Sequence, residues 1–316
     1  MLQVDAGLTV GKYRVTEFVG RGGFALVYAA ENRETGEKVA LKFGDVRGGG
    51  RFIDRFAEVG NKREPGAISP DESPADAVFF DSRTARVDLV NDQEIDTLLL
   101  AEAETLRRLR SPNFVALKEV VRCGDRPVLV LEYVKGKTLR EKVRALEGIR
   151  INWFLTIVRA LERLNADGQL QFHGDLKPEN ILIKPTGAVV LLDPVPNSII
   201  TNTNAAVPPP LPATLNYNPL LLRNSKADVM GIGIILYEIL TGTLPFDTVP
   251  WEFAGTPAAG ETTRLSLSYF LSYVPPRELN SSAAPELEKI IYRCLAVADY
   301  GLDGLREDFV AFLRKP

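Results

Sequence analysis

Residues 173–182 constrain this 316-residue chain more than any other stretch, because one short loop carries three different reactive groups. In the segment HGDLKPENIL, Asp175 and Asn180 are five positions apart and Lys177 lies between them. A carboxylate can orient a hydroxyl, an ammonium group can neutralise a terminal phosphate, and an amide oxygen can bind Mg²⁺. The loop therefore predicts phosphoryl-transfer chemistry. The alternative, a polar surface turn after a helix, stays open for this stretch taken alone.

The loop resembles the catalytic loop of the eukaryotic-type serine/threonine protein kinases, with Gly174 where that family usually has arginine. The resemblance implies that Asp175 acts on the substrate hydroxyl, that Lys177 neutralises the γ-phosphate and that Asn180 binds Mg²⁺. In that family the usual arginine receives a phosphate from the activation loop. The only histidine of the chain, His173, is a packing residue in the family, so we assign it no chemistry.

The resemblance covers about residues 11–315 and implies an α+β fold of two lobes. Residues 1–134 would form a small, mostly β N-lobe, and residues 135–316 a larger, helical C-lobe. Members of the family bind ATP with Mg²⁺ between the lobes and transfer phosphate to a protein substrate.

An atypical insertion at about residues 44–92 interrupts the family pattern, which normally reaches its next helix within a few residues. Glycine, proline and acidic residues in this segment are loop signals. Residues 78–80 and 87–90 are apolar enough to pair as a hairpin. We expect the insertion to be functional, as the docking site of a regulatory partner, or else disordered.

A glycine-rich turn at residues 20–28, GRGGFALVY, lies between two predicted strands and lets backbone N–H groups approach phosphates. It resembles the nucleotide loop of the kinases, except that its third glycine is Ala25. The resemblance assigns Lys42, on the next strand, to the α- and β-phosphates. Glu102 lies among leucines on a helical face, where an acid needs a cationic partner, and we pair it with Lys42.

The resemblance also implies a larger nucleotide-binding set. Taken singly, each apolar member is equally consistent with ordinary core packing. The set comprises Val19, Gly20, Gly22, Val27, Ala40, Lys42, Leu131, Glu132, Val134 and Leu182.

A short apolar strand ends at Asp193, which the resemblance makes the second Mg²⁺ ligand beside Asn180. The family has Asp-Phe-Gly at this point, whereas this chain has Asp193-Pro194-Val195. The phenylalanine that packs on the helix of Glu102 and the hinge glycine are thus absent. Proline fixes φ, so we expect a stiffer turn.

Residues 214–220, TLNYNPL, resemble the substrate-docking stretch of the kinases, with Thr214 as the docking residue and Leu220 in place of a glutamate. Counting along the C-terminal helices puts Asp303 where the family has the arginine that pairs with this glutamate. We therefore expect Leu220 to be a packed hydrophobe. Asp228, at the start of the next helix, is expected to hold the backbone of the catalytic loop.

Composition argues against several other classes of protein. A net charge of −3 gives no sign of an overall basic surface for nucleic acid or membranes, and we expect neither as a partner. The longest apolar run, residues 230–240, is too short to span a bilayer and contains Glu238. Cys123 and Cys294 lack metal-ligand spacing and fit a reducing cytoplasm, and the N-terminus has no export signal.

Three functions fit the sequence. A protein kinase is favoured because all six family positions are occupied in order. A pseudokinase or nucleotide-binding scaffold is suggested by Pro194, Val195 and Leu220. A small-molecule kinase that resembles the aminoglycoside and choline kinases is suggested by His-Gly-Asp, although the Lys-Pro-Glu run and the Thr214 segment argue against it. The six positions are Lys42, Glu102, Asp175, Lys177, Asn180 and Asp193.

Overall fold

The computed structural model describes residues 6–22, 24–45, 51–56, 85–89, 92–197, 214, 216–220, 222–245 and 273–315, with 51–56 and 85–89 as backbone only. The strands are β1 (Thr9–Val10), β2 (Tyr13–Arg21), β3 (Ala25–Asn32), β4 (Lys38–Gly44), β5 (Arg51–Phe56), β6 (Ala85–Leu89), β7 (Leu117–Cys123), β8 (Arg126–Glu132), β9 (Lys137–Thr138), β10 (Ile181–Ile183) and β11 (Val189–Leu191). The helices are α1 (Asp92–Arg108), α2 (Leu139–Arg144), α3 (Ile151–Ala166), α4 (Ser225–Thr241), α5 (Pro276–Leu279), α6 (Pro285–Ala296) and α7 (Leu302–Leu313).

The N-terminal part is built on an antiparallel sheet with strand order β1-β2-β3-β4-β8-β7. Successive side chains of a strand point to opposite faces. In β4 this alternation buries Val39, Leu41 and Phe43 in one apolar cluster. Ala40 and Lys42 therefore point to the other face, which is where α1 packs.

Helix α1 lies against β4, β7 and β8. Ile95, Leu99, Glu102 and Leu106 recur at steps of three and four, so they share its buried face. Acidic residues in its first turn and arginines in its last turn complement the helix dipole. The packing of the leucines thus carries the Glu102 carboxyl to the same face of the sheet as Lys42.

The insertion contains a two-stranded antiparallel ladder of β5 and β6, in which Arg51 pairs with Leu89 and Ile53 with Val87. The predicted pairing of residues 87–90 with 78–80 is wrong for 87–89, since their partner is β5. Residues 78–80 and 90 lie outside the described residues. Strand β5 was not predicted, because the glycines at 48–50 directly before it are loop signals.

The C-terminal part is organised around α4, in which every residue from 227 to 237 is buried. Asn224 caps its first turn by accepting a hydrogen bond from the Lys226 N–H, and Gly242 ends it at a φ of +75°. A Cβ at Gly233 would lie 2.5 Å from the Cys294 Cβ, so glycine permits close packing of α4 on α6. Of the described helices, none is long and apolar enough to cross a membrane. The expected α+β architecture, a β-rich N-lobe and a helical C-lobe, is confirmed.

Candidate active site

The loop before β10 is held in place by the buried carboxyl group of Asp228. Its Oδ2 accepts the His173 N–H at 2.7 Å and its Oδ1 accepts the Gly174 N–H at 2.8 Å. Burial raises the pKa of Asp228 to about 7, and the two N–H groups oppose that rise. This is the role expected of Asp228 from the sequence.

Asp175 is the centre of a hydrogen-bonded cluster on this loop. Its Oδ2 accepts Lys177 Nζ at 2.8 Å and Asn180 Nδ2 at 3.0 Å, and its Oδ1 accepts the Thr214 N–H at 2.8 Å. Lys177 Nζ also donates to Thr214 Oγ1 at 2.8 Å. Burial alone would raise the pKa of Asp175, but Lys177 and Thr214 outweigh burial and lower it. Asp175 is therefore an ionised acceptor near neutral pH.

His173 packs beneath this cluster. Its Nε2 bonds the Leu192 carbonyl oxygen at 2.9 Å, and its Nδ1 accepts the Asp175 N–H at 3.3 Å. Since both ring nitrogens are engaged, the neutral imidazole has a defined tautomer. Burial lowers the pKa of His173 to about 4. The ring supports the loop backbone, in agreement with the packing role that the sequence suggested.

Lys42 of β4 connects helix α1 with the segment of Asp193. Its Nζ lies 2.7 Å from Glu102 Oε2 and 2.9 Å from Asp193 Oδ1. Burial alone would lower the pKa of Lys42, but the carboxylates of Asp193 and Glu102 outweigh burial and raise it. The side chains of Lys42 and Glu102 are each 3% exposed, whereas that of Asp193 is 40% exposed. The acid that can still reach a ligand is therefore Asp193.

Asp193 and Asn180 have the atoms that Mg²⁺ prefers, a carboxylate and an amide oxygen. Both hydrogen bonds from Asn180 to Asp175 use Nδ2, so the amide turns its Oδ1 away from Asp175. Asp193 has a φ of +53°, an uncommon backbone conformation outside glycine. In the described residues no group of three or more His, Cys, Asp or Glu side chains could hold a metal. Mg²⁺ bound by two protein ligands and phosphate oxygens does not need one.

Only some of the predicted nucleotide-binding residues pack together. Ala40, Leu131 and Val134 pack in the cluster that also contains α1 residues. Val19 is 52% exposed on β2. The Glu132 N–H donates to the Ala116 carbonyl oxygen at 2.8 Å, so an adenine at this position would use the Glu132 carbonyl.

The other predicted nucleotide-binding residues lie on the β2–β3 hairpin and on β10. Gly20 and Val27 face each other across β2 and β3, and Val27 pairs with Lys42 across β3 and β4. A hydrogen bond at 2.7 Å from the Gly22 N–H to the Ala25 carbonyl closes the glycine-rich turn. Leu182 lies in β10, opposite Thr138 of β9.

The segment after Asp193 is held by two backbone hydrogen bonds and by one buried side chain. The Val195 N–H donates to the His173 carbonyl at 2.8 Å, and its side chain is 2% exposed beside Phe172 and Ala227. The Asn197 N–H donates to Thr105 Oγ1 of α1 at 3.1 Å. Val195, at the position of the family glycine, thus ties this segment to the loop of His173, and Asn197 ties it to α1. The stiffening expected from Pro194 stays a prediction.

Leu220 is half-buried against the large C-lobe core, as expected of a packed hydrophobe. The sequence count that placed Asp303 at a buried pair position is wrong, because Asp303 is exposed in the first turn of α7. Arg306, the next cation along α7, pairs with Glu162 at 3.1 Å.

Sequence reasoning missed two arginines that join the elements of the site. Arg126 of β8 hydrogen-bonds both carboxyl oxygens of Asp96 and also reaches Asp92, so it fixes the N-terminal end of α1. Arg140 of α2 connects the catalytic loop with the Thr214 segment. No local pattern marks either residue, since their partners are at least 30 positions away.

Comparison with known proteins bears directly on this arrangement. The family model described as the protein kinase domain matches residues 84–299, more than half of the chain. The chain belongs to the protein kinase family. Within this kinase chain, Asp175, Asn180 and Asp193 all lie inside the matched range, whereas Lys42 lies before it.

Two curated relatives show the extent of the similarity. The serine/threonine-protein kinase PrkC of Bacillus subtilis is 25% identical over 96% of this kinase chain and 40% of its own length. CBL-interacting protein kinase 12 of Oryza sativa subsp. japonica is 30% identical over 77% of this chain and 39% of its own length. The chain therefore spans about two fifths of these relatives.

Solved structures support the fold. The apo form of PpkA-294 superposes with a TM-score of 0.62 at 18% identity, covering 97% of this chain and 99% of that one. Rad53 residues 1–466 in complex with AMP-PNP gives a TM-score of 0.59 at 21% identity, covering 94% and 64%.

Proposed function

We propose that this chain is an ATP- and Mg²⁺-dependent serine/threonine protein kinase. The observation that carries the proposal is the contact of Lys42 Nζ with both Glu102 and Asp193, at 2.7 and 2.9 Å. The buried Lys42 ammonium group is held by the buried Glu102 carboxylate beside Asp193, whose half-buried side chain is still accessible to a metal–nucleotide complex. The assembled pair favours an active enzyme over a pseudokinase.

The proposed roles follow from the charge and position of each group. Asp175 is an ionised carboxylate and accepts the proton of the substrate hydroxyl. Lys177, 2.8 Å from Asp175, neutralises charge on the transferred phosphoryl group. Lys42 binds the α- and β-phosphates, and Glu102 keeps its side chain extended.

Asn180 and Asp193 would hold Mg²⁺, which neutralises charge on the phosphate oxygens. Their amide and carboxylate oxygens suit that hard cation. The exposure of Asp193 supports this assignment, because a ligand of an incoming metal–nucleotide complex must be accessible.

The contact between Thr214 and Asp175 favours a protein acceptor over a small molecule, because it places a separate peptide segment beside the acceptor site. The test compares acceptors: the chain is incubated with γ-labelled ATP, Mg²⁺ and either casein, an aminoglycoside or choline. We expect label in casein on serine or threonine. Label in the aminoglycoside or choline alone would instead support a small-molecule kinase.

We also propose that the insertion binds a regulatory partner. It connects β4, the strand of Lys42, with α1, the helix of Glu102, so a partner that prefers one position of α1 would shift the ion pair. Replacing residues 48–88 by a short Gly-Ser linker tests this. A change in kcat or in partner capture supports it, and a variant equal to the wild type in both contradicts it.

A further inference from the structure

Arg140, in the first turn of α2, hydrogen-bonds residues from three separate segments: the catalytic loop, the Thr214 segment and α4. Its Nε donates to Glu179 Oε1 at 2.6 Å, its Nη1 to Glu238 Oε1 at 2.5 Å and its Nη2 to the Tyr217 hydroxyl at 2.5 Å. The Tyr217 hydroxyl in turn donates to Glu238 Oε2 at 2.7 Å. We call these four residues the Arg140 cluster.

The charges of the cluster make the guanidinium hard to replace. The side chains of Arg140 and Glu238 are 16% and 15% exposed. Burial alone would lower the pKa of Arg140, but Glu238, Tyr217 and Glu179 outweigh burial and raise it. Burial and Glu238 raise the pKa of Tyr217, so its hydroxyl keeps its proton. A planar fork with five N–H donors can serve three acceptors at once, which an ammonium group on a single stem does not do.

Two chain segments that hydrogen-bond Asp175 each contribute one residue to this cluster. Glu179 precedes Asn180, whose Nδ2 donates to the Asp175 carbonyl at 2.9 Å and to its Oδ2 at 3.0 Å. Tyr217 donates its N–H to the Thr214 carbonyl at 2.9 Å, and the Thr214 N–H donates to Asp175 Oδ1 at 2.8 Å. One guanidinium therefore restrains the catalytic loop and the Thr214 segment against each other.

The position of Arg140 is itself well defined. Thr138 and Glu141 form a reciprocal capping box at the start of α2, which fixes the turn that carries Arg140. Among the described residues, no hydrogen bond joins the Arg140 cluster to Lys42 or Asp193 on the nucleotide side. Asn180 is the one link to that side, because its carbonyl oxygen accepts the Leu192 N–H at 2.9 Å, next to Asp193. A change at Arg140 should therefore affect the acceptor more strongly than the nucleotide.

We propose that Arg140 is a positioning residue for the phosphoryl acceptor, an inference that rests on the proposed kinase activity. It keeps Thr214 on Asp175, and so defines where the substrate backbone lies relative to the carboxylate that receives the hydroxyl proton. A small displacement of the reacting groups strongly lowers the reaction rate.

The test uses Arg140→Met, which keeps the apolar stem, beside Arg144→Met, which removes an exposed arginine one turn further along the same helix. For Arg140→Met we expect kcat/KM for casein to fall by about tenfold or more. The Kd of Mg-ATP, measured by titration calorimetry, should stay within about twofold of the wild type. Arg144→Met should match the wild type in both.

A double variant separates positioning from stability. Arg140→Met with Glu238→Gln removes the more buried of the two carboxylate charges that Arg140→Met leaves behind, so the melting temperature should recover in large part. We expect kcat/KM to stay low. Recovery of kcat/KM together with the melting temperature would overturn the proposal and leave Arg140 a purely structural role.

A second readout does not depend on activity. Hydrogen–deuterium exchange of the 216–220 amides should become faster in Arg140→Met, with exchange in α3 unchanged. Unchanged exchange at 216–220 overturns the restraint by Arg140, whether or not the wild type is active. A wild type that protects these amides but transfers no phosphate overturns the proposed function instead.

Discussion

Gly174 and Val195 approach each other so closely that a Cβ on Gly174 would lie 2.7 Å from the Val195 Cγ2. Both positions depart from the family pattern, which has arginine at the first and glycine at the second. The contact shows that the two departures are complementary: the loop without a side chain accommodates the buried valine that follows Asp193. This packing, together with the Val195 N–H bond to the His173 carbonyl, joins the loop of Asp175 to the segment that follows Asp193.

The first prediction concerns this contact. Gly174 has a φ of +82°, and a methyl group there would also lie 2.9 Å from the Phe172 ring. Gly174→Ala should therefore lower the free energy of unfolding by roughly 1–3 kcal/mol, as followed by urea denaturation. Adding Val195→Ala should make the combined loss smaller than the sum of the two single losses. Simple additivity would show that the two residues are not coupled.

The second prediction concerns regulation by phosphorylation. Gly174 has no side chain to pair with a phosphate, and the space beside it is filled by Val195. Ser198, Thr201 and Thr203, the candidate phosphorylation sites, lie outside the described residues. We expect phosphatase-treated enzyme to keep its initial rate on casein when the phosphatase is removed before the assay. Loss of most of the rate, with recovery on rephosphorylation, contradicts this expectation.

The third prediction tests the assignment of Glu102 as the partner of Lys42, with Glu104, two positions further along α1, as the matched control. Glu102→Gln leaves a buried lysine with one charged partner fewer, and should cost about 3 kcal/mol of stability and about 100-fold in kcat/KM. Glu104 is half-exposed and pairs with Arg107 and Arg108 on the surface. Glu104→Gln should change stability by less than about 1 kcal/mol and leave the rate intact. Equal effects of the two variants would refute the assignment.

The fourth prediction is a pH dependence of stability. Burial lowers the pKa of His173 to about 4, against an ordinary value of 6.5. Between these values the unfolded chain binds a proton that the folded chain does not, so stability falls as pH falls from 6.5 to 4. At about 1.4 kcal/mol per pH unit, the loss by pH 4 is roughly 3 kcal/mol.

Carboxyl groups titrate in the same range, so the comparison is with His173→Gln, which has no titrating side chain. That variant should be less stable at pH 7, because it loses ring packing and hydrogen bonds. Its stability should depend less steeply on pH between 4 and 6.5. Identical slopes in the two proteins would rule out the buried neutral imidazole.

The sequence predicted those features of the site that depend on local spacing. Lys42 on a strand, Glu102 on an apolar helical face and Asp175 with Asn180 in one loop each carry a short-range pattern, and the structure brings them together. The Arg140 cluster could not be predicted, because Arg140 and Glu238 are 98 positions apart and neither has an unusual local context. The exposed position of Asp303 was missed, because a count of residues along the chain does not show how the intervening loops run in space.

The most direct test of the whole account compares the wild type with Asp175→Ala in one phosphoryl-transfer experiment. Both proteins receive γ-labelled ATP, Mg²⁺ and casein, and the Kd of Mg-ATP is measured for each. We predict that the wild type labels casein and that Asp175→Ala binds Mg-ATP comparably but labels it at least about 100-fold more slowly, because Asp175 acts on the hydroxyl. A wild type that binds Mg-ATP without transferring label, or an Asp175→Ala variant as fast as the wild type, would contradict the assignment of this site as a kinase centre.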